Sequence, residues 1–170
     1  NIAIDTHVHG YENMQGLRAE ISIIDVAGKI AAKSNSQIDK LGNMHSELNI
    51  TDAKLWSPES PYLYRVVTKL YSGDKLIDET TDNTGIRTIS VSADKGFMLN
   101  GISRKIQGVC LHHDLGPLGA AVNKAAIIRQ IRILKDMGCD AIRTSHNMPS
   151  TMQMEVCDSM GMMVMAESFD

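Results

Sequence analysis

The sequence predicts two kinds of fold in one chain: an antiparallel β-sandwich first, then an α/β segment built on parallel strands. Three observations predict it. Up to about Val91, apolar and polar residues alternate at period two in several short runs. From Phe97 onward, short apolar runs without polar alternation are separated by segments of helical periodicity. Turn and cap residues fall between the runs in both halves. Half-buried alternation at spacings of about ten residues is the pattern of a sandwich. Apolar strands that alternate with helices pair in parallel.

The first run, Ile2 to His9, places Ile2, Ile4, Thr6 and Val8 on one face. Leu17, Ala19, Ile21 and Ile23 repeat the alternation, with Arg18, Glu20 and Ser22 opposite. Tyr62, Tyr64, Val66, Thr68 and Leu70 form a third run, and Ile86, Thr88 and Ser90 a weaker fourth. Turns are predicted at Asp25–Gly28, Ser72–Asp74 and Asp82–Gly85. Pro58 and Pro61 mark an extended connection, because proline cannot donate within a central strand. Beyond it, Asn100-Gly101 between Phe97-Met98-Leu99 and Ile102–Ile106 predicts a tight hairpin. Ile106 to Cys110 reads as a strand. Ile127, Ile128, Ile131, Leu134 and Met137 then share one helical face, with Asn123 as N-cap and Gly138 as the stop. Cys139 to Thr144 reads as a second strand, and Ser150 to Gln153 as a capping box that opens a helix ended by Gly161. Met162 to Ala166 is the third strand. Three parallel strands leave two hydrophobic edges, which natural domains avoid, so the sequence reads as a piece of a longer protein.

Composition narrows the function classes. The chain has 170 residues, 43% hydrophobic and 22% charged, close to a globular average. A net charge of -3, unpolarised along the chain, gives no footprint for nucleic acid or anionic lipid. No run approaches the roughly 18 apolar residues of a spanning helix, and no signal peptide is visible. Three cysteines, Cys110, Cys139 and Cys157, lack paired spacing and read as small buried hydrophobes. One Trp, four Tyr and two Phe supply few rings on which a sugar or base could stack. Trp56, beside Ser-Pro-Glu-Ser-Pro, reads as a residue pinning a sandwich edge.

Two groups of residues carry candidate chemistry. His7-Val8-His9, after Asp5, is similar to the Asp-x-His-x-His signature of metal-dependent amidohydrolases, and residues i and i+2 of a strand can share a metal. No barrel unit follows it, so the reading retained is two histidines on a solvent face, with no metal. The second group lies at the ends of the three parallel strands: His112-His113-Asp114, Arg143 with His146, and Glu167. Side chains there converge on one rim, where α/β active sites sit.

The order of further motifs carries a resemblance. Leu55 to Tyr64, reading Leu-Trp-Ser-Pro-Glu-Ser-Pro-Tyr-Leu-Tyr, resembles the late-sandwich motif of glycoside hydrolase family 2, the β-galactosidase family. Gly85-Ile86-Arg87 followed by Phe97–Gly101 is similar to that family's passage from an immunoglobulin-like domain into a barrel. Gly108-Val109-x-x-His112, Arg143-x-Ser145-His146, Cys157-Asp158-x-x-Gly161 and Glu167 continue in the family's order and spacing. The match runs from about Trp56 to the end.

The resemblance implies an immunoglobulin-like sandwich over 1–92 and the first part of a (β/α)8 TIM barrel over 93–170. It implies a retaining exo-β-glycosidase with β-galactosidase as the leading activity and β-glucuronidase or β-mannosidase as alternatives. A metal-dependent hydrolase using His7 and His9, and a non-catalytic sandwich module, are the readings from other classes. In the family the acid/base Glu follows an Asn after strand four and the nucleophile follows strand seven. Neither catalytic carboxylate therefore falls in this sequence, and the chain by itself is expected to be inactive. The resemblance gives Arg143 the place of an arginine that hydrogen-bonds the nucleophile and holds its pKa down. It gives His112 and His146 contacts to sugar hydroxyls, with His113 and Asp114 beside them, and makes Glu167 a rim acid that orders neighbouring groups. Cys110-Leu111-His112-His113 departs from the family's frequent Asn-Arg-His-Glu, and Ala166 stands where an Asp often precedes the Glu; both bear on which sugar fits. No cofactor is implied. The expected partner is a carbohydrate, without nucleic acid or membrane; homo-oligomer formation stays open, and the resemblance suggests a periplasmic or secreted site.

Overall fold

A computed structural model describes residues 1–10 and 16–168. The chain forms two compact units that interleave in sequence: Asn1–Ala53 with Leu63–Thr84, and Lys54–Tyr62 with Gly85–Asp170.

The first unit is antiparallel throughout. Strands β1 (Ile2–His7) and β4 (Asn43–Leu48) pair as one sheet, and β2 (Leu17–Ile24), β3 (Ile30–Gln37), β5 (Tyr64–Ser72) and β6 (Lys75–Thr84) form a second in the order β3-β2-β5-β6. The alternation of β2 is realised in full: Leu17, Ala19, Ile21 and Ile23 are buried and their neighbours are half-buried. Ala19 and Ile21 pack with Met44 of β4, flanked by Ile4, Val66 and Leu70, so the inner faces of the two sheets make one core. Registry places Thr68 opposite Ile21 and Leu70 opposite Ala19, which puts the predicted run of β5 on the core face.

Three expectations are corrected here. Asp82–Gly85 is not a turn, since β6 runs to Thr84 with Asp82 opposite Val66 and Thr84 opposite Tyr64. β6 is an edge strand, and its Asp, Asn and Thr side chains are tolerated because they meet water; polar edges also discourage pairing with other chains. Strands β3, β4 and β6 are additional to the predicted runs. The weak run Ile86, Thr88, Ser90 is replaced by strand β7 (Ile89–Ser92), which is exposed along its length and lies in the second unit.

In the second unit β7 pairs with β8 (Gly96–Leu99), which pairs with the short β9 (Ile102–Ser103). The β8–β9 turn is Asn100-Gly101, with φ of 53° and 77°. Positive φ at both central residues is what a type I′ hairpin requires, and Asn-Gly meets that requirement at least cost. Strands β10 (Gly108–Leu111), β11 (Ala141–Thr144) and β12 (Met163–Ala166) form a parallel sheet in that order. Helix α1 (Lys124–Asp136) connects the first pair and α2 (Thr151–Met160) the second. Asn123 Oδ1 accepts from Ala126 N at 3.0 Å and Ser150 Oγ accepts from Gln153 N at 3.1 Å, so both predicted N-caps form. Ile127, Ile131 and Leu134 of α1 close on Ile142, Val156, Cys157 and Met162. Met137 does not belong to that face: it follows the last turn of α1 and is exposed. No helix of the described residues is long and apolar enough to cross a membrane.

The segment Lys54–Tyr62 packs inside this unit as a strap. Trp56 is fully buried, its backbone N–H donates to Ile86 O at 2.8 Å, and its indole Nε1 donates to Asp158 O at 2.8 Å. The structural role expected of Trp56 is present, but it is played within the barrel unit and not at a sandwich edge. Lys135 Nζ donates to Pro58 O at 3.0 Å and to Gly161 O at 2.9 Å. Arg104 bridges Glu59 and Asp140, each at 2.8 Å.

Candidate active-site rim

Parallel strands whose Cα registry is Cys110–Arg143–Met165, then Leu111–Thr144–Ala166, deliver their following residues to the same rim. The sequence groups polar residues at all three of these ends, and the structure brings a subset of them into contact. Arg143 Nε and Nη2 both reach Oε1 of Glu167. The other carboxylate oxygen, Oε2, accepts the backbone N–H of His146 at 2.8 Å. The N–H of Glu167 in turn donates to Thr144 Oγ1 at 3.1 Å. The remaining nitrogen of Arg143, Nη1, has longer contacts: Ser145 Oγ at 3.3 Å and Cys110 Sγ at 3.7 Å.

The loop after β11 turns sharply, with His146 at a φ of 64°. That turn places the His146 ring 5.6 Å from the His112 ring, tilted by 45°. His112, Arg143, His146 and Glu167 therefore meet at one rim. His113 and Asp114 do not join them. His113 has a φ of 55°, which redirects the chain, and Asp114 Oδ1 caps Gly116 N at 2.7 Å in an Asx turn. Both line a small pocket of about 40 Å³ that they share with Gln130, Met148 and Gln153.

Electrostatics follow the contacts. The His146 N–H, and then the Arg143 guanidinium, hold the Glu167 carboxyl below its ordinary range. Arg143 is held more firmly protonated by Cys110 and Glu167. Ser145 and Arg143 lower the Cys110 thiol, while burial raises that of Cys157 to about 12. Cys110 was expected to be a buried hydrophobe; it is exposed, because residues facing the inner surface of an open sheet stay accessible. Over that inner surface lies a cavity of about 420 Å³ lined by Trp56, Phe97, Cys110, Arg143, Met163 and Met165. Cys110, Thr144 and Ser145 are the rim residues that sequence reasoning passed over as candidates. Only the period of a strand could have signalled one of them: Ser145 is two residues beyond Arg143 and shares its face, whereas Cys110 becomes level with Arg143 only through the observed registry and Thr144, one residue along, carries no such signal.

In the first unit His7 and His9 are exposed, and His7 Nδ1 lies 2.6 Å from Asn43 Oδ1. Among the described residues no group of three His, Cys, Asp or Glu side chains is placed to hold a metal ion.

Comparison with known proteins bears on both halves. Residues 1–87 match glycosyl hydrolases family 2, and residues 89–169 match the TIM barrel domain of the same family. The beta-galactosidase BoGH2A of Bacteroides ovatus is 46% identical over 153 residues, which is 88% of this chain and 18% of that protein. The crystal structure of a family 2 member from Bacteroides cellulosilyticus DSM 14838 superposes with a TM-score of 0.93 at 36% identity, covering 99% of this chain and 24% of that one. Bifidobacterium dentium beta-glucuronidase, solved with coumarin-3-O-glucuronide, gives a TM-score of 0.89 at 28% identity over 98% of this chain and 26% of its own. The chain thus spans no more than about a quarter of these relatives. Two domain matches in the expected order, and identity above a third across nearly all of the chain, lead to one conclusion: it belongs to glycosyl hydrolase family 2.

Proposed function

We propose that this chain is the sandwich (1–92) and the opening part of the barrel (93–170) of a retaining exo-β-glycosidase, with β-galactosides as the leading substrates. The observation that carries the reading is the strand-end rim, where Arg143, His146 and Glu167 are interlocked with His112 alongside, in a family 2 chain. A retaining glycosidase needs two carboxylates about 5 Å apart flanking the scissile bond. On this reading both come from parts of the protein beyond these 170 residues. The rim supplies the supporting chemistry. Arg143 donates to the nucleophile through its inward-facing Nη1 edge and keeps that carboxylate ionised by opposite charge. His112 and His146 bond sugar hydroxyls, and those bonds aid turnover to the extent that they strengthen as the ring flattens towards an oxocarbenium ion.

A β-glucuronide substrate is the second reading, supported by relatives that carry that name. The metal-hydrolase reading of His7 and His9 has less support, since His7 is already engaged with Asn43.

The test is hydrolysis of aryl β-galactoside, β-glucuronide and β-mannoside by a longer gene product with a complete barrel, beside the 170-residue chain, with and without chelator. Cleavage by the longer protein alone, unaffected by chelator, is expected, and the preferred glycoside names the sugar. Absence of cleavage by the longer protein would refute the reading. Loss of activity with chelator would return weight to a metal site.

A further inference from the structure

We propose that Glu167 is a positioning residue, which locks the Arg143 side chain and the His146 backbone into one rigid unit so that both are presented together to the substrate. The inference rests on the glycosidase reading above and assigns how its rim is held.

Glu167 engages both carboxylate oxygens and its backbone N–H within the rim. Oε1 takes the Nε and Nη2 donors of Arg143, Oε2 takes the His146 N–H at 2.8 Å, and its own N–H is spent on Thr144 at 3.1 Å. The carboxylate therefore ties the end of β12 to the end of β11. Two features of that loop need such a tie. A guanidinium on a long side chain has many rotamers, and an acceptor that takes both Nε and Nη2 fixes the plane of the fork, a carboxylate most strongly. His146 holds a φ of 64°, a left-handed conformation that a residue with a Cβ adopts only when its surroundings compel it.

The division of labour between the edges of Arg143 is the second point. Its Nε and Nη2 side is anchored by a charge. Among the described residues Nη1 meets only Ser145 Oγ at 3.3 Å and Cys110 Sγ at 3.7 Å, contacts at the weak limit of hydrogen bonding. A carboxylate or sugar hydroxyl arriving over the inner face can replace either contact without disturbing the anchor. Among the described residues, the titratable groups in contact with this pair are Cys110 from β10 and His146 after β11, with His112 near the His146 ring. None of these described groups is an acid that could substitute for Glu167.

The experiment uses the longer gene product with Glu167→Ala, Glu167→Gln and Glu167→Asp. Glu167→Ala is expected to lower kcat by about 10²-fold with KM changed little, the scale of losing a preorganised donor. The acid limb of kcat/KM should move up by about half a pH unit or more, because a displaced Arg143 no longer favours the ionised nucleophile. Glu167→Gln, whose amide oxygen still accepts, should recover part of both. Hydrogen exchange at the His146 amide should quicken in Glu167→Ala, which reads the tie without turnover. Wild-type turnover with an acid limb that stays put or moves down in every folded variant overturns the proposal, as does unchanged protection of the His146 amide. If Glu167→Ala does not fold, Glu167→Gln carries the same comparison. A wild type that cleaves no β-glycoside refutes the glycosidase reading instead, and the exchange measurement still decides whether the tie exists.

Discussion

Replacing Gly161 by alanine tests how tightly the strap is fitted to the barrel unit. Gly161 ends α2 with a φ of 72°, and an added Cβ would lie 2.5 Å from Pro58 O, 3.0 Å from Pro58 C and 3.1 Å from its Cα. Two costs combine. A side chain in the left-handed region costs about 1–2 kcal/mol. Relieving the clash needs a backbone shift of the strap, a form of overpacking worth about 1–3 kcal/mol. The strap cannot yield freely, since Trp56 is fully buried and Lys135 bonds Pro58 O and Gly161 O together. Gly161→Ala should therefore lose about 2–5 kcal/mol. Gly138→Ala is the matched control: Gly138 follows α1 with a φ of 91°, and nothing lies within 4 Å of its added Cβ. It should lose only the backbone cost, about 1–2 kcal/mol. Urea unfolding followed by tryptophan fluorescence reads both, because Trp56 is the one Trp in the sequence and lies in the unit under test. Equal losses for the two variants, within about 0.5 kcal/mol, would refute the claim that the Pro58 contact constrains the fold.

Two further outcomes are expected. Arg104 lowers the Glu59 carboxyl from its ordinary 4.5 to about 2, so this pair contributes to stability above pH 4.5 and loses that contribution as pH falls towards 2. Glu59 is mostly exposed, so Glu59→Gln should cost no more than about 1 kcal/mol at pH 7, and the gap to wild type should close on acidification in thermal melts; a gap independent of pH would contradict the pairing. Among the thiols, Cys110 is exposed and lowered by Ser145 and Arg143, whereas Cys157 is buried and raised to about 12. Mass spectrometry after brief alkylation at mild alkaline pH should find Cys110 modified and Cys157 untouched until denaturant is added; the reverse order would show that the open inner face is misplaced.

What was legible in the sequence follows a physical pattern. Strand β2 and the three parallel strands were readable because burial dictates their side chains on one face or both, and the caps at Asn123, Ser150 and Gly161 because helix ends demand particular residues. Strands β3 and β6 lie at the sheet's edges, where water replaces one neighbour and polar residues are free to sit, so Asp82-Asn83-Thr84 looked like a turn. The candidate rim was legible as a set of strand ends. Its internal contacts were not: the Arg143–Glu167 pairing depends on parallel registry, and the separation of His113 and Asp114 depends on one positive φ. Local residue types do not encode registry between strands that lie more than twenty positions apart. Trp56 was read correctly as structural and misplaced, because a residue in a connection gives no sign of which neighbour will bury it.

The interleaving of the two units has a consequence for any attempt to cut or shuffle this protein. The chain leaves the first unit after Ala53, returns at Leu63 and leaves again after Thr84. A single crossover at the apparent junction near residue 92 would graft a foreign strap onto the native barrel, since Trp56, Pro58 and Glu59 would travel with the donor sandwich. Chimeras among relatives should therefore succeed only when the donor's strap presents an indole to the carbonyl at position 158 and leaves room for Gly161. Inheritance of these two units is coupled by the strap together with residues 85–92, which also belong to the second unit, and exchange of either half alone selects for partners that share both.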